Sequence, residues 1–218
     1  MTKNERMQVD PFPESANIEA RLLAMLSDCE RALAEALMDL SHFYQSVGNP
    51  KKASAYLEYV MPPTMDLEQR ARHYLQKGQL MEQQNNYRMA MAFYAQALPL
   101  EPTDSRVWYL INNNLGYCLN HFQEYIRAEE YCRSAIRVDP SRHNAYKNLG
   151  ISLEGQGHFL DAIASYIQAI EMRPQDPRAL LCLEEVLKRQ PFLLIENPDL
   201  SEIVAKCQEA VLAAKKQE

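Results

Sequence analysis

Residues 143–174, HNAYKNLGISLEGQGHFLDAIASYIQAIEMRP, decide the fold. Here Gly150 is followed nine residues later by Phe159, twelve later by Ala162, then seven further by Ala169 and five further by Pro174. The same spacing occurs twice upstream, as Gly78–Tyr87–Ala90–Ala97–Pro102 and as Gly116–Tyr125–Ala128–Ala135–Pro140. A unit of two amphipathic helices recurring with a period in the mid-thirties is the signature of a solenoid, in which each unit buries its apolar face only against its neighbours. Such a chain presents a surface.

Each spaced residue has a physical task. The glycine falls midway along the first helix, where a small residue lets the second helix approach. The two alanines lie on one face of that second helix and meet the glycine turn. The aromatic opens the second helix and packs back between units. The proline ends it and pushes the preceding residue toward an extended conformation. A glycine inside a helix costs about 1 kcal/mol relative to alanine, so three in register require a packing reason.

The pattern resembles the tetratricopeptide repeat family. In the third copy Tyr146, Leu149, Gly150, Phe159, Ala162, Tyr166, Ala169 and Pro174 stand where that family places its bulky, small and terminating residues. The middle copy keeps Leu115-Gly116 but has Cys132 where Tyr94 and Tyr166 stand in the others; the first has Lys77 where a leucine is usual. The resemblance implies an all-α, right-handed superhelical solenoid of antiparallel helix pairs.

The spacing divides the chain into a flexible polar tail (1–16), a long helix with a degenerate unit (17–65), three clear repeats (66–176) and capping helices (177–218). Asn17 is the expected N-cap of the long helix. Leu22, Leu26, Cys29, Leu33, Ala36, Leu40, Phe43 and Val47 then follow at unbroken steps of four and three, a coiled-coil seam. Gly48-Asn49-Pro50 is a stop signal, and a second helix runs from Lys51 to about Met61, closed by Pro62-Pro63. Leu40, Tyr44, Gly48 and Ala53 fit a degenerate repeat with Ser41 in place of the glycine. The four extra residues between Pro102 and Gly116, relative to the span from Pro140 to Gly150, predict a longer first helix in the middle unit. After Pro177 comes a helix to about Arg189, a loop over Gln190–Pro198 and a last helix from Asp199 or Ser201 to about Lys215.

Charge and composition narrow the function. The net charge of −6 argues against a nucleic-acid binder, which shows a basic face. The most apolar short stretch, Phe192 to Ile195, is far below the roughly 20 residues that span a bilayer. Met1–Asn17 is polar, carries Pro11 and Pro13 and has no apolar signal-peptide core, so the expected location is cytoplasmic. Five scattered cysteines (Cys29, Cys118, Cys132, Cys182, Cys207) form no Cys-x-x-Cys pair and read as small buried thiols. His42, His73, His121, His143 and His158 form no metal motif. No phosphate-cradling loop or nucleophile elbow occurs. The expectation is a non-enzyme with no cofactor and no metal.

The resemblance implies that the first helices line a concave groove. The mapped positions are Arg72, Gln76, Gln79 and Gln83 in the first unit, and Asn113, Asn114, Tyr117, Asn120 and His121 in the second. In the third they are Asn144, Lys147 and Asn148. Amides offer both donors and acceptors, as an extended peptide backbone requires; alternatively they bond to neighbouring helices or water. A two-carboxylate clamp of the kind that grips chaperone C-termini is incomplete in either register: Leu75, Gln79, Asn114, Asn144 and Asn148 in one, Asn113, Tyr117, Asn148, Arg178 and Cys182 in the other. The leading expectation is an interaction module holding a protein or peptide segment in the groove. The alternatives are an assembly protein that homodimerises through residues 17–47, or a holder of partner proteins similar to the bacterial secretion chaperones.

Overall fold

The computed structural model describes residues 13–59 and 65–216. The chain divides into two compact units at Asp66/Leu67.

In the first unit α1 (Pro13–Ser46) and α2 (Pro50–Glu58) form a hairpin. The helix begins at Pro13, ahead of the Asn17 expected to cap it, because proline's fixed φ suits a first turn. Gly48 reverses the chain at φ +74°, and Asn49 accepts from the Lys52 N–H at 3.2 Å to cap α2, with Pro50 in its first turn. α2 closes at Glu58; the expected Met61 end and the Pro62-Pro63 stop lie outside the described residues. Tyr44 stacks on Tyr56 with ring centroids 5.4 Å apart. Ser41, Ala53 and Leu57 are fully buried at the same offsets as Gly78, Ala90 and Tyr94, with serine at the glycine position.

The second unit stacks three further hairpins: α3 (Leu67–Gln83) with α4 (Tyr87–Ala97), α5 (Ser105–His121) with α6 (Tyr125–Val138), and α7 (His143–Gly155) with α8 (Phe159–Met172). Tyr87, Tyr125 and Phe159 open the second helices, and all six spaced alanines are buried. α5 has 17 residues against 13 in α7, and α3 is as long as α5, so the added turn is shared by the first two units.

A feature the glycine spacing does not announce recurs seven residues later. Gly48, Asn85, Gln123 and Gly157 all have positive φ (74, 57, 63 and 81°). The N–H of the next residue returns to a carbonyl of the last turn: Asn49 to Tyr44 at 2.8 Å, Asn86 to Met81 at 2.8 Å, Glu124 to Leu119 at 3.0 Å and His158 to Leu153 at 2.9 Å. This left-handed C-terminal cap satisfies carbonyls that the helix end leaves open. It makes four equivalent hairpins of four dissimilar sequences.

The unit ends differ from one another. Asp139 (φ −145°, ψ 91°) and Arg173 (φ −148°, ψ 80°) are extended before their prolines, as expected. Glu101, before Pro102, is instead left-handed at φ 43°. There α4 continues into a 3-10 turn at Leu98–Leu100, and the chain leaves that tighter turn through the left-handed residue. Beyond α9 (Arg178–Arg189), the expected Gln190–Pro198 loop contains a short helix, α10 (Phe192–Glu196), before α11 (Pro198–Lys215). Its Leu193 is buried in the cluster that joins α8 and α9 to Leu200, Cys207 and Val211 of α11, which explains why this apolar run folds.

A polar face on the first helices

The close approach that builds the face is between glycine and ring. A Cβ at Gly78 would overlap the Tyr94 ring, and one at Gly150 would overlap that of Tyr166; at Gly116 it would meet the Cys132 Sγ at 2.6 Å. Tyrosine therefore fills the space a glycine leaves, and the middle unit uses a thiol instead.

Four of the expected groove residues form one buried chain. Asn148 Nδ2 of α7 donates to Asn113 Oδ1 of α5 at 3.0 Å, and Asn113 Nδ2 donates to Asn114 Oδ1 at 3.0 Å. Asn114 Nδ2 donates to the Tyr94 hydroxyl of α4 at 3.2 Å. Asn120 joins from the side, donating to the Asn148 carbonyl at 2.8 Å and accepting from Ser152 Oγ at 2.9 Å. Asn113, Asn114, Asn120 and Asn148 are buried, so these amides bond across the repeats. Tyr94 passes the chain on to the Glu82 carboxylate, which also accepts from Cys118 Sγ at 3.5 Å.

The position four residues after each glycine carries Glu82, Asn120 and Glu154. Glu154 accepts from the Tyr166 hydroxyl at 2.7 Å and is neutralised by Arg189. Glu82 has no such cation among the described residues; burial, opposed by its hydrogen bonds from Tyr94 and Cys118, pushes its pKa up to about 7. In the first and third units an acid four residues after the glycine thus meets a tyrosine sixteen residues after it. Those offsets stand in the sequence, but the pattern of small residues alone does not point to them.

The remaining expected residues are spread over the same helices. Arg72 is exposed and bound to Asp104 at 3.1 Å and Glu68 at 3.5 Å. Gln76 and Gln79 are half-buried, and Gln83 is exposed. His121 is exposed, with its ring 4.0 Å from that of Tyr87, which in turn meets Tyr117 at 5.9 Å. Asn144 accepts from Arg178 of α9 at 3.0 Å. Arg178 also grips Asp176 at 2.8 Å, and Asp176 meets His143 Nε2 at 3.0 Å; the arginine holds that carboxyl well below the usual range.

Lys147 is the exception in this set. It is 8% exposed, and among the described residues its close polar neighbour is the face of the Tyr117 ring, 5.7 Å from Nζ. Asp176, the carboxylate whose charge acts on Lys147, is committed to Arg178 and His143. Burial, and secondarily the Arg178 charge, lowers the lysine's pKa. The result is a cationic spot, built from α5, α7 and α9, in an acidic chain. Among the described residues no group of three His, Cys, Asp or Glu is placed to hold a metal, and no helix is long and apolar enough to cross a membrane.

Known proteins agree with this architecture. Two tetratricopeptide repeat models match residues 71–104 and 109–142, and residues 147–191. The BBSome complex member BBS4 homolog of Drosophila melanogaster is 23% identical over 156 residues, covering 72% of this chain and 31% of the relative. Human tetratricopeptide repeat protein 7B is 25% identical, covering 66% of this chain and 16% of its own. The chain thus spans less than a third of the length of these relatives. Among solved structures, MamA 41-end from Desulfovibrio magneticus RS-1 superposes with a TM-score of 0.63 at 18% identity, over 85% of this chain and 97% of that one, a likeness of fold. The chain belongs to the tetratricopeptide repeat family, and its all-α solenoid is a protein-interaction scaffold.

Proposed function

We propose that the face formed by α3, α5, α7 and α9 binds an extended segment of a partner protein, with an acidic side chain of that segment seated on Lys147. The observation that carries this reading is Lys147, whose side chain is buried to 8% exposure while its ammonium still reaches the surface and has no carboxylate of its own among the described residues. A charge with part of its hydration removed by a buried stem gains from a carboxylate partner at its exposed tip. Tyr117 supplies an aromatic wall beside it, and the Asn144 amide nitrogen a donor. The buried Asn148–Asn113–Asn114 chain has a different part in this reading: it fixes the helix spacing, and the polar side chains of Gln79, Gln83 and His121 extend the contact. Selection from a displayed library of random peptides tests the proposal. Binders enriched in Asp or Glu at one position, and at least tenfold weaker on Lys147→Met, are expected. Binders with no acidic preference, or indifferent to Lys147, overturn it.

A further inference from the structure

α1 carries two faces. One is used inside the protomer, where Ala34, Met38 and Ser41 are buried. The other is the four-three seam from Leu22 to Val47, which lies on the far side of the helix and stays open. Six large apolar side chains of the seam (Leu22, Leu26, Leu33, Leu40, Phe43 and Val47) are more than a third exposed, among them Leu22 at 58%, Leu33 at 61% and Val47 at 58%. At on the order of 100 Å² each, they offer about 600 Å² per partner, the lower end of what a standard interface buries. A monomer does not leave a continuous apolar stripe of this size in water without a use for it.

We infer that this seam pairs with the seam of a second copy of the chain, the two α1 helices running antiparallel. The identity of the occupant follows from the spacing, because an unbroken four-three repeat is complementary to another of the same kind. The direction follows from the layers. In a parallel pair Ala36 faces Ala36 and Phe43 faces Phe43, which leaves a void beside a crowded layer. Turned antiparallel, Leu22 faces Val47, Leu26 faces Phe43, Cys29 faces Leu40 and Leu33 faces Ala36. Each layer then combines a larger with a smaller side chain, the arrangement that fills a core evenly. The acids flanking the seam agree: in this register Glu30 stands opposite Leu37 and Asp39 opposite Ala32, so like charges do not meet. Opposed helix dipoles add a small favourable contribution. The inference is independent of the face on α3 to α9.

The full chain tests it. Light scattering at micromolar concentration should give twice the monomer mass, and Leu26→Glu with Leu33→Glu should give the monomer mass with unchanged helical circular dichroism. Orientation is read separately. Cys29 is an exposed free thiol, and Leu40→Cys places a second thiol opposite it in the antiparallel pair. Mild oxidation should then link position 29 of one copy to position 40 of the other, seen as a single cross-linked peptide by mass spectrometry. A monomer at every concentration overturns the pairing. A disulfide between the two native Cys29 residues as the dominant product overturns the antiparallel register.

Discussion

Gly78 and Tyr94 share one space: the phenol ring of Tyr94, fully buried, occupies the volume in which a Cβ of residue 78 would stand. Gly150 and Tyr166 repeat the relationship, and in the middle unit a smaller thiol at Cys132 faces Gly116. Ring and glycine are therefore one packing choice made over two helices.

Alanine at these glycines separates the two partners. Gly78→Ala and Gly150→Ala force a ring to move and should each cost about 1–3 kcal/mol of unfolding free energy, despite alanine's better helix propensity. Gly116→Ala meets the smaller Cys132 thiol and the Ala128 carbonyl at 3.2 Å, so it should cost less than displacing a ring. Urea denaturation of the three variants checks the order; equal losses would mean the ring is not what sets the spacing.

Glu82 should make stability depend on pH in a defined direction. Its folded pKa of about 7 exceeds the ordinary 4.5, so the folded state binds the extra proton between those values. The contribution is full below about pH 4.5, declines as pH rises through 7 and is flat above. Each tenfold change in proton affinity is worth about 1.4 kcal/mol, so the whole decline is on the order of 3 kcal/mol. Glu82→Gln should remove the decline and exceed the wild type at pH 8. Denaturation at pH 5 and pH 8 decides it, and parallel losses in both proteins would count against a protonated Glu82.

Much of the fold is legible in the sequence because glycine, alanine and proline act locally and at fixed offsets. What stays hidden depends on contacts between elements. Gln123 gives no hint of a left-handed cap, since its conformation is imposed by the turn that Gly48 and Gly157 adopt freely. The Phe192–Ile195 run is too short to read as a helix without the surface that α9 and α11 supply for Leu193. The amide strip is visible as a strip, but its hydrogen-bond direction depends on Tyr94 and Asn148 lying at its two ends. Lys147 reads as one polar residue among many; its missing counter-ion is a property of space.

The imposed turn at Gln123 gives a prediction of opposite sign. Gln123→Gly removes the steric cost of the left-handed region, which is about 1 kcal/mol, and returns part of it as unfolded-chain entropy. A net gain of about 0.5 kcal/mol is expected in thermal or chemical unfolding. A loss would mean the glutamine side chain holds a contact of its own.

Asn114→Ala should behave as a structural lesion. It removes the Asn114 donor from the Tyr94 hydroxyl, which keeps its bond to Glu82, and leaves Asn113 Nδ2 without its partner in a buried setting, at a cost of roughly 1–3 kcal/mol. The melting temperature should fall, while any peptide that binds through Lys147 retains most of its affinity for the folded fraction. Thermal melts beside binding isotherms check both halves, and a stable variant that no longer binds would give the amide a direct role in the contact.

Lys147 itself tests the functional reading most directly, because stability and binding should move in opposite directions. Lys147→Met replaces a largely buried lysine side chain that has no ion pair among the described residues with an apolar side chain of similar length. Calorimetric titration of an acidic peptide selected on the wild type, alongside a melting curve of each protein, is the decisive measurement. The expected result is an affinity at least tenfold weaker with a melting temperature equal to or above that of the wild type. Unchanged affinity in a folded Lys147→Met protein would contradict a carboxylate seat on this face.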